Sequence, residues 1–293
     1  MSRLFLPALA MLLALPLTAG AAPRVTSDLP PVASLAAQVM GDHGRVAVLI
    51  ATGGDGHHHQ LRPSEARLVA DADLLIWLGP AMTPWLMDAA QALAPGARLT
   101  LLDLPGLHLH AGHDHGADGD AHAIDPHAWL DPENGRIWLD AMAGALAEID
   151  PAQADAYRSN AQAGKALIDA AEAEARAILA DLPARPIVIA HDSLGYFTEA
   201  MGLPPALAIT DHSDGAPSAR ALRQLRASIT ANDARCFHPE GGGKPQIPAS
   251  LDGLGLREGA PIDAMGAGRV DAAAYPAILV GIAKAIADCA RAD

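Results

Sequence analysis

Residues 150–183 read DPAQADAYRSNAQAGKALIDAAEAEARAILADLP, and this stretch decides the fold. Between Pro151 and Pro183 no proline interrupts a single helical pattern, which spans about 151–181. At 1.5 Å per residue such a helix runs roughly 45 Å, long enough to act as a rigid strut between two lobes. The stretches on either side are then expected to form two lobes.

Upstream, RVTSDLPPVASLAAQVMG (24–41) reads as strand, turn and helix, and GRVAVLIATGG (44–54) as a second strand. RPSEARLVADADLLIWLG (62–79) supplies a helix with Pro63 near its start and then the strand DLLIWLG. AMTPWLMDAAQALA (81–94) reads as a further helix and RLTLLDLPG (98–106) as a further strand. Downstream, RPIVIAHDSLGYFTEAMGL (185–203) restarts strand then helix, and PSARALRQLRASITANDARCFHPE (217–240) gives helix then strand. GAPIDAMG (259–266) reads as a short late strand, and AYPAILVGIAKAIADCARA (274–292) as the closing helix. Strands alternating with helices imply parallel βα units, whose functional loops lie at the strand C-termini. The expected fold is α/β: two parallel-sheet lobes, 22–150 and 182–293, joined by the 151–181 helix across a binding cleft.

Composition narrows the function. Of the 293 residues 51% are hydrophobic but only 3% aromatic, which favours helix-rich α/β packing over an all-β sandwich. A formal net charge of −14 and the lack of a basic stripe exclude a nucleic-acid partner. An acidic surface suits a cation as cargo, although it also serves solubility alone. MSRLFLPALAMLLALPLTAGAA (1–22) has Arg3, a short apolar run broken by Pro7 and Pro16, and the small residues Ala19-Gly20-Ala21. That pattern predicts a signal peptide, residues 1–21, cleaved near Ala21 to release a soluble exported protein. In an oxidising compartment Cys236 and Cys289, the only cysteines, are expected to form a disulfide tying the last helix to its sheet.

Thirteen histidines are an unusual load. Neutral imidazole is the commonest protein ligand for zinc, and three imidazoles plus one oxygen make a tetrahedral site. His57, His58 and His59 follow the second strand, in GDGHHHQLRPSE (54–65). His127 lies in IDPHAWL, His191 ends the strand IVIA, and Asp263 sits in PIDAMG. All stand at or near strand ends and can face one crevice. Asp192, after His191, is placed to begin a helix or to support a ligand. LHLHAGHDHGADGDAHAID (107–125) has no apolar period and reads as a mobile loop carrying His108, His110, His113, His115 and His122. His212 and His238 are expected at the surface or behind the ligands, His43 in solvent, and Trp77 and Trp85 in packing roles.

Taken together, VTSDLPPVASLAAQV, His57 five residues before Arg62, LLIWLGPAMTPWL, PHAW, IVIAHDSLGYFTEAMGL and PIDAMG resemble one known family. The chain is similar to the periplasmic metal-binding proteins of zinc and manganese ABC importers, most specifically the ZnuA and AztC type (cluster A-I). The resemblance covers nearly the whole mature chain, and the cysteine pair also resembles a disulfide of the zinc members. It implies a periplasmic receptor that captures Zn2+ between its lobes and delivers it to the permease of a zinc importer. It further implies the ligand set His57, His127, His191 and Asp263, a monomer, and a periplasmic metallochaperone as a further possible partner. The family usually places a proline before the first histidine and an aromatic two residues after it. Here Gly56 and His59 hold those places, so His58 and His59 compete with His57 for the register, and water competes with Asp263 for the fourth position. The histidine-rich loop 108–122 is similar to loops of the zinc-specific members and implies weak auxiliary zinc capture.

Three imidazoles and a carboxylate suit zinc better than hard Mn2+, which makes a manganese receptor the nearer alternative. An exported zinc hydrolase is the rival from another class. HLHAGHDH superficially resembles the metal-rich HxHxDH loop of metallo-β-lactamase-like enzymes, but its spacing differs and the chain has no HExxH. Four protein ligands would close the coordination shell that a catalytic zinc keeps open, so no enzymatic activity is expected. An exported adhesin or metal chaperone working without a transporter is a third reading.

Overall fold

The structure is a computed structural model that describes residues 21–50, 56–111, 124–210, 217–241 and 248–292. The signal-peptide stretch 1–20 and His113, His115, His122 and His212 lie outside the described residues.

In the N-terminal lobe β1 (Val25–Ser27), α1 (Pro30–Met40), β2 (Val46–Val48), α2 (Pro63–Ala70), β3 (Leu74–Trp77), α3 (Met87–Gln91) and β4 (Arg98–Thr100) follow one another. They build a parallel sheet in the order β2-β1-β3-β4. Two long helices come next, α4 (Pro132–Ile149) and α5 (Ala154–Leu179). The C-terminal lobe contains β5 (Val188–His191), α6 (Gly195–Met201), β6 (Leu207–Thr210), α7 (Ala219–Ala231), β7 (Cys236–His238), β8 (Arg257–Glu258) and α8 (Ala274–Arg291). Its sheet, ordered β6-β5-β7-β8, repeats the topology of the first. In each sheet the connections leave in opposite directions from the second and third strands. The carboxyl ends of β1 and β3, and of β5 and β7, therefore open a crevice where ligands of such sheets bind.

Alternation along the strands shows why both faces of each sheet are apolar. Leu74 and Ile76 enter the main core, whereas Leu75 and Trp77 join a smaller cluster with Leu49, Val69, Leu86 and Ala90. Ile189 likewise faces the main core while Val188 packs with Phe237 and Ile229 on the outer face. The main core runs unbroken from Val25 in the first lobe through α5 to Ile286 in α8.

The strut is a 26-residue helix, about 39 Å long, preceded by a short 3-10 turn over Pro151–Gln153. Its buried stripe is Tyr157, Ala161, Gly164, Ile168, Ala171, Ala175 and Leu179, spaced by three and four as a helix face requires. The helix lies against α1, α4 and α8, so it touches helices of both lobes along its length. The lobes also meet directly. Ser34 Oγ donates to the Asp271 carbonyl (2.7 Å) and accepts from Tyr275 N–H (2.9 Å). Gln38 donates to the Ala272 carbonyl, Trp129 Nε1–H to the Ala264 carbonyl, and Tyr275 Oη–H to the Trp129 carbonyl. Cys236 and Cys289 form a disulfide between β7 and α8, with Cα atoms 6.0 Å apart. Closing a loop of 53 residues limits the unfolded chain and contributes about 4 kcal/mol by the chain-entropy estimate.

Some elements differ from the sequence reading. GAPIDAMG forms no strand; Ile262 makes only an isolated parallel bridge with Glu240. β6 and β8 occupy the sheet edges instead, and as runs of four and two residues they carry too little pattern to be read. The helix expected over 81–94 shrinks to α3, because Pro84 starts a separate 3-10 turn before it. The segment expected as a mobile loop is held at both its described ends by an antiparallel bridge between Ala111 and Ile124.

Candidate metal centre

His57 reaches the crevice from the loop after β2. That loop is fastened by Trp85, whose Nε1–H donates to the Gly56 carbonyl at 2.8 Å, so Trp85 does more than pack. Gly56 packs closely there: a Cβ would fall 2.3 Å from the Met82 methyl, the end of a flexible side chain that would have to shift. His59 is drawn the other way: its Nε2 lies 2.8 Å from Glu65 Oε2, and its ring meets Trp85 edge-on at 4.7 Å. Burial alone would raise the Glu65 carboxyl, but the Arg62 N–H and His59 hold it below its ordinary range. His58 is exposed. Of the three, only His57 joins the cluster described next.

His127 precedes a 3-10 turn, Ala128–Leu130, and is 4% exposed. Its backbone N–H and its Nδ1 both lie against one oxygen of buried Asp125, at 3.0 and 2.8 Å. A carboxylate accepts only, so Nδ1 carries the proton and Nε2 keeps its lone pair. Tyr196 Oη–H donates to the Asp125 carbonyl at 2.8 Å, and burial raises its phenol pKa, which keeps it protonated as the donor. His191 enters from the other lobe as the last residue of β5. Ring centroids are 5.8 Å apart for His57–His127, 5.3 Å for His127–His191 and 6.1 Å for His57–His191. One ring nitrogen from each lies within 4.8 Å of the other two. A tetrahedral zinc holds such nitrogens about 3.3 Å apart, so modest ring movements close the shell around an ion. The carboxylate–histidine pair at His127 is the arrangement that orients metal ligands and raises their basicity.

Residues 25–289 match the family model for the zinc-uptake complex component A, periplasmic (ZnuA). The chain belongs to the ZnuA family. It is 41% identical to the high-affinity zinc uptake system protein ZnuA of Paracoccus denitrificans, over 92% of this chain and 93% of that one. The ZnuA of Brucella abortus is 29% identical, over 92% of each chain. Two solved structures share the fold. The Mn-bound periplasmic metal-binding protein of Candidatus Liberibacter asiaticus superposes with a TM-score of 0.76 at 19% identity, covering 90% of this chain and 98% of that one. FpvC of Pseudomonas aeruginosa, in complex with Mn2+, gives 0.79 at 20% identity, covering 92% and 99%.

Other candidates of this ZnuA-family chain fall elsewhere. Asp263 stands outside the three-histidine cluster; its Oδ1 accepts the Met265 N–H at 3.0 Å and shapes the turn. His238 is 1% exposed, not at the surface, because it ends the interior strand β7. Its Nδ1–H donates to the Ala260 carbonyl (2.9 Å), and burial lowers its pKa. His238 and His191 line one pocket, together with Ser193, Glu240 and Ile262. His238 clusters with Cys236 and Cys289, but the two sulfurs are spent on each other. His43 is half-buried against Tyr157, edge-on at 5.8 Å, rather than in solvent. Asp192 donates its backbone N–H to the Thr210 carbonyl. His108 and His110 do not hang free in a loop; they pack beside Asp131 and Tyr196.

The sequence reading passed over Asp125, Glu65, Glu199 and Asp28. Asp125 stood two residues before a candidate ligand with a proline between, a turn in which the carboxylate folds back on the following backbone. Glu65 occupies the third position of α2, where a carboxylate accepts the N–H before the helix. Asp28 has no local signal. It sits at the crevice end of β1 and accepts the Leu29 and Leu78 N–H groups and the Thr83 hydroxyl.

Proposed function

We propose that this protein captures Zn2+ between its lobes on His57, His127 and His191, and hands it to the permease of a zinc ABC importer. The observation that carries the reading is the meeting of three imidazoles, two from one lobe and one from the other, with Asp125 fixing the tautomer of one. Membership of the ZnuA family supports zinc as the cargo and transport as the purpose. Three neutral imidazoles also favour zinc over Mn2+ on ligand chemistry. The fourth position falls to Asp263, after a turn rearrangement, or to water. Asp125 and Trp85 act through the ligands: one presents the lone pair of His127, the other anchors the loop that delivers His57.

The protein works in the periplasm as a monomer after cleavage near Ala21, and a periplasmic metallochaperone is a candidate donor of its zinc. Family membership argues for carriage over hydrolysis, and assays with ester, peptide and β-lactam substrates on the zinc-loaded protein should give no turnover. Acidification weakens capture because protons and zinc compete for the same nitrogens.

The deciding experiment is metal content and chelator competition on stripped protein, wild type beside His127→Ala and His191→Ala. One tightly held zinc per chain, lost in both variants and not displaced by Mn2+, supports the reading. Tight zinc surviving in both variants would remove the cleft as the capture site.

A further inference from the structure

Strand β7 sets Cys236 and His238 on one face of the C-terminal sheet and turns Phe237 to the other, where it joins the outer cluster. Cys289 reaches Cys236 from α8. One ring nitrogen of His238 and the two sulfurs all lie within 4.8 Å of one another, and all three residues are buried. Two thiolates and an imidazole are a donor set that zinc favours.

In the disulfide form the sulfurs hold each other and the imidazole is left over. A carbonyl only accepts, so the contact with Ala260 puts the proton of His238 on Nδ1 and the lone pair on Nε2. Nε2 is buried and has no hydrogen-bond partner among the described residues. Buried polar atoms are nearly always paired, so this one calls for a physical reason. The ring is held in place between the Ala260 carbonyl and Gly259, where a Cβ would fall 2.3 Å from its Cε1. Reduction frees both sulfurs. With the Cα atoms 6.0 Å apart, rotation about the Cα–Cβ bonds lets them part to the roughly 3.8 Å that a tetrahedral zinc requires. Cys236 also lines a surface recess with Leu182, Pro186 and Arg235, which brings solvent to this end of the cluster.

We propose that Cys236, Cys289 and His238 form a zinc site of the reduced chain, which the disulfide replaces on oxidation. On binding, the two thiols release their protons, and Zn2+ takes the two thiolates, the imidazole and one water from the recess. An oxidant of the disulfide-exchange class reverses this. It removes two electrons from the thiolates and closes the bond between Cys236 and Cys289. Its own disulfide takes those electrons with two protons from solvent and becomes a dithiol, and Zn2+ leaves. A chain made in a reducing cytosol and exported to an oxidising compartment passes through both states. Zinc on the thiolates delays the disulfide until the oxidant prevails. The site shares no ligand with the three-histidine centre and stands whether or not that centre takes zinc.

The chain has only these 2 cysteines, so a sulfur-to-cobalt charge-transfer band reports this site and no other. Mature protein, stripped of metal and kept reduced with a phosphine, is titrated with Co2+ and then with Zn2+. The band should appear in the reduced protein, stay absent from the disulfide form, and bleach as Zn2+ displaces Co2+. His238→Phe and His238→Gln should each weaken Co2+ binding, read from the band, at least tenfold, with circular dichroism matching the reduced wild type. His127→Ala/His191→Ala should leave the band intact. A folded reduced protein without the band overturns the proposal, as does a band that both His238 variants leave unchanged. A reduced chain that unfolds with and without zinc overturns it too, whereas one that folds only when zinc is added supports it. Tight zinc surviving in His127→Ala/His191→Ala counts against the cleft reading alone.

Discussion

One carboxylate oxygen of Asp125 takes two hydrogen bonds from His127, from its backbone N–H and from Nδ1. Without that oxygen the ring can turn and can place its proton on the nitrogen that faces the cleft. Asp125→Ala is therefore expected to lower zinc affinity ten- to hundredfold. Chelator competition measures it, and an unchanged affinity would show that packing alone orients the ring. Asp28 poses a different problem, being fully buried. Burial pushes its carboxyl up to about 6, against the opposing pull of the Leu78 and Leu29 N–H groups and the Thr83 hydroxyl. Because the folded value lies above the ordinary 3.8, the stabilising contribution is complete only below about pH 3.8 and is lost as pH rises through about 6. A carbon-13 titration of the Asp28 carboxyl in the metal-free protein should give a midpoint near 6. A midpoint near 4 would mean that the hydrogen bonds fully offset desolvation.

Among the elements, the packing of α4 against α5 and α8 depends on a missing side chain. An ideal Cβ on Gly135 would sit 2.6 Å from Tyr275 Oη and 3.2 Å from Ile168 Cδ1. The tyrosine cannot simply move aside, since it is fully buried and donates to the Trp129 carbonyl. Two effects then compete in Gly135→Ala. Alanine gains about 1 kcal/mol of helix propensity, while overpacking a close contact costs about 1–3 kcal/mol. The clash should win, giving a net loss of about 1 kcal/mol in urea unfolding with little change in m-value. A net gain would show that α8 slides away from α4 at little cost.

Across the whole molecule, one hydrophobic core passes through both lobes, and hydrogen bonds join α1 to the start of α8 and Trp129 to the Ala264 carbonyl. A wide hinge opening would have to expose part of that core and break those bonds together. Zinc binding should therefore leave the small-angle scattering profile almost unchanged. Release at the permease would then proceed by movement of the loops that carry His57 and Asp263. A large compaction on adding zinc would show that the lobes open in solution despite these contacts.

Much of this architecture was legible in the chain. Short buried strands alternating with helices, and a proline-free helical stripe between them, are local patterns with periods of two and about three and a half residues. His191 and His127 could be placed because an apolar strand and a turn announce the position of each. Other features depended on segments far apart in sequence. His59 turned from the cleft toward Glu65 and Trp85, Asp263 stood apart, His238 was buried within a sheet, and Glu199 met His108 and His110 from the other lobe. His110 and Tyr196 are 86 residues apart, yet their rings stack. A side chain's type and its place on an element follow from its neighbours along the chain. The atoms it meets follow from how the lobes pack, and that packing is decided only when the whole core closes.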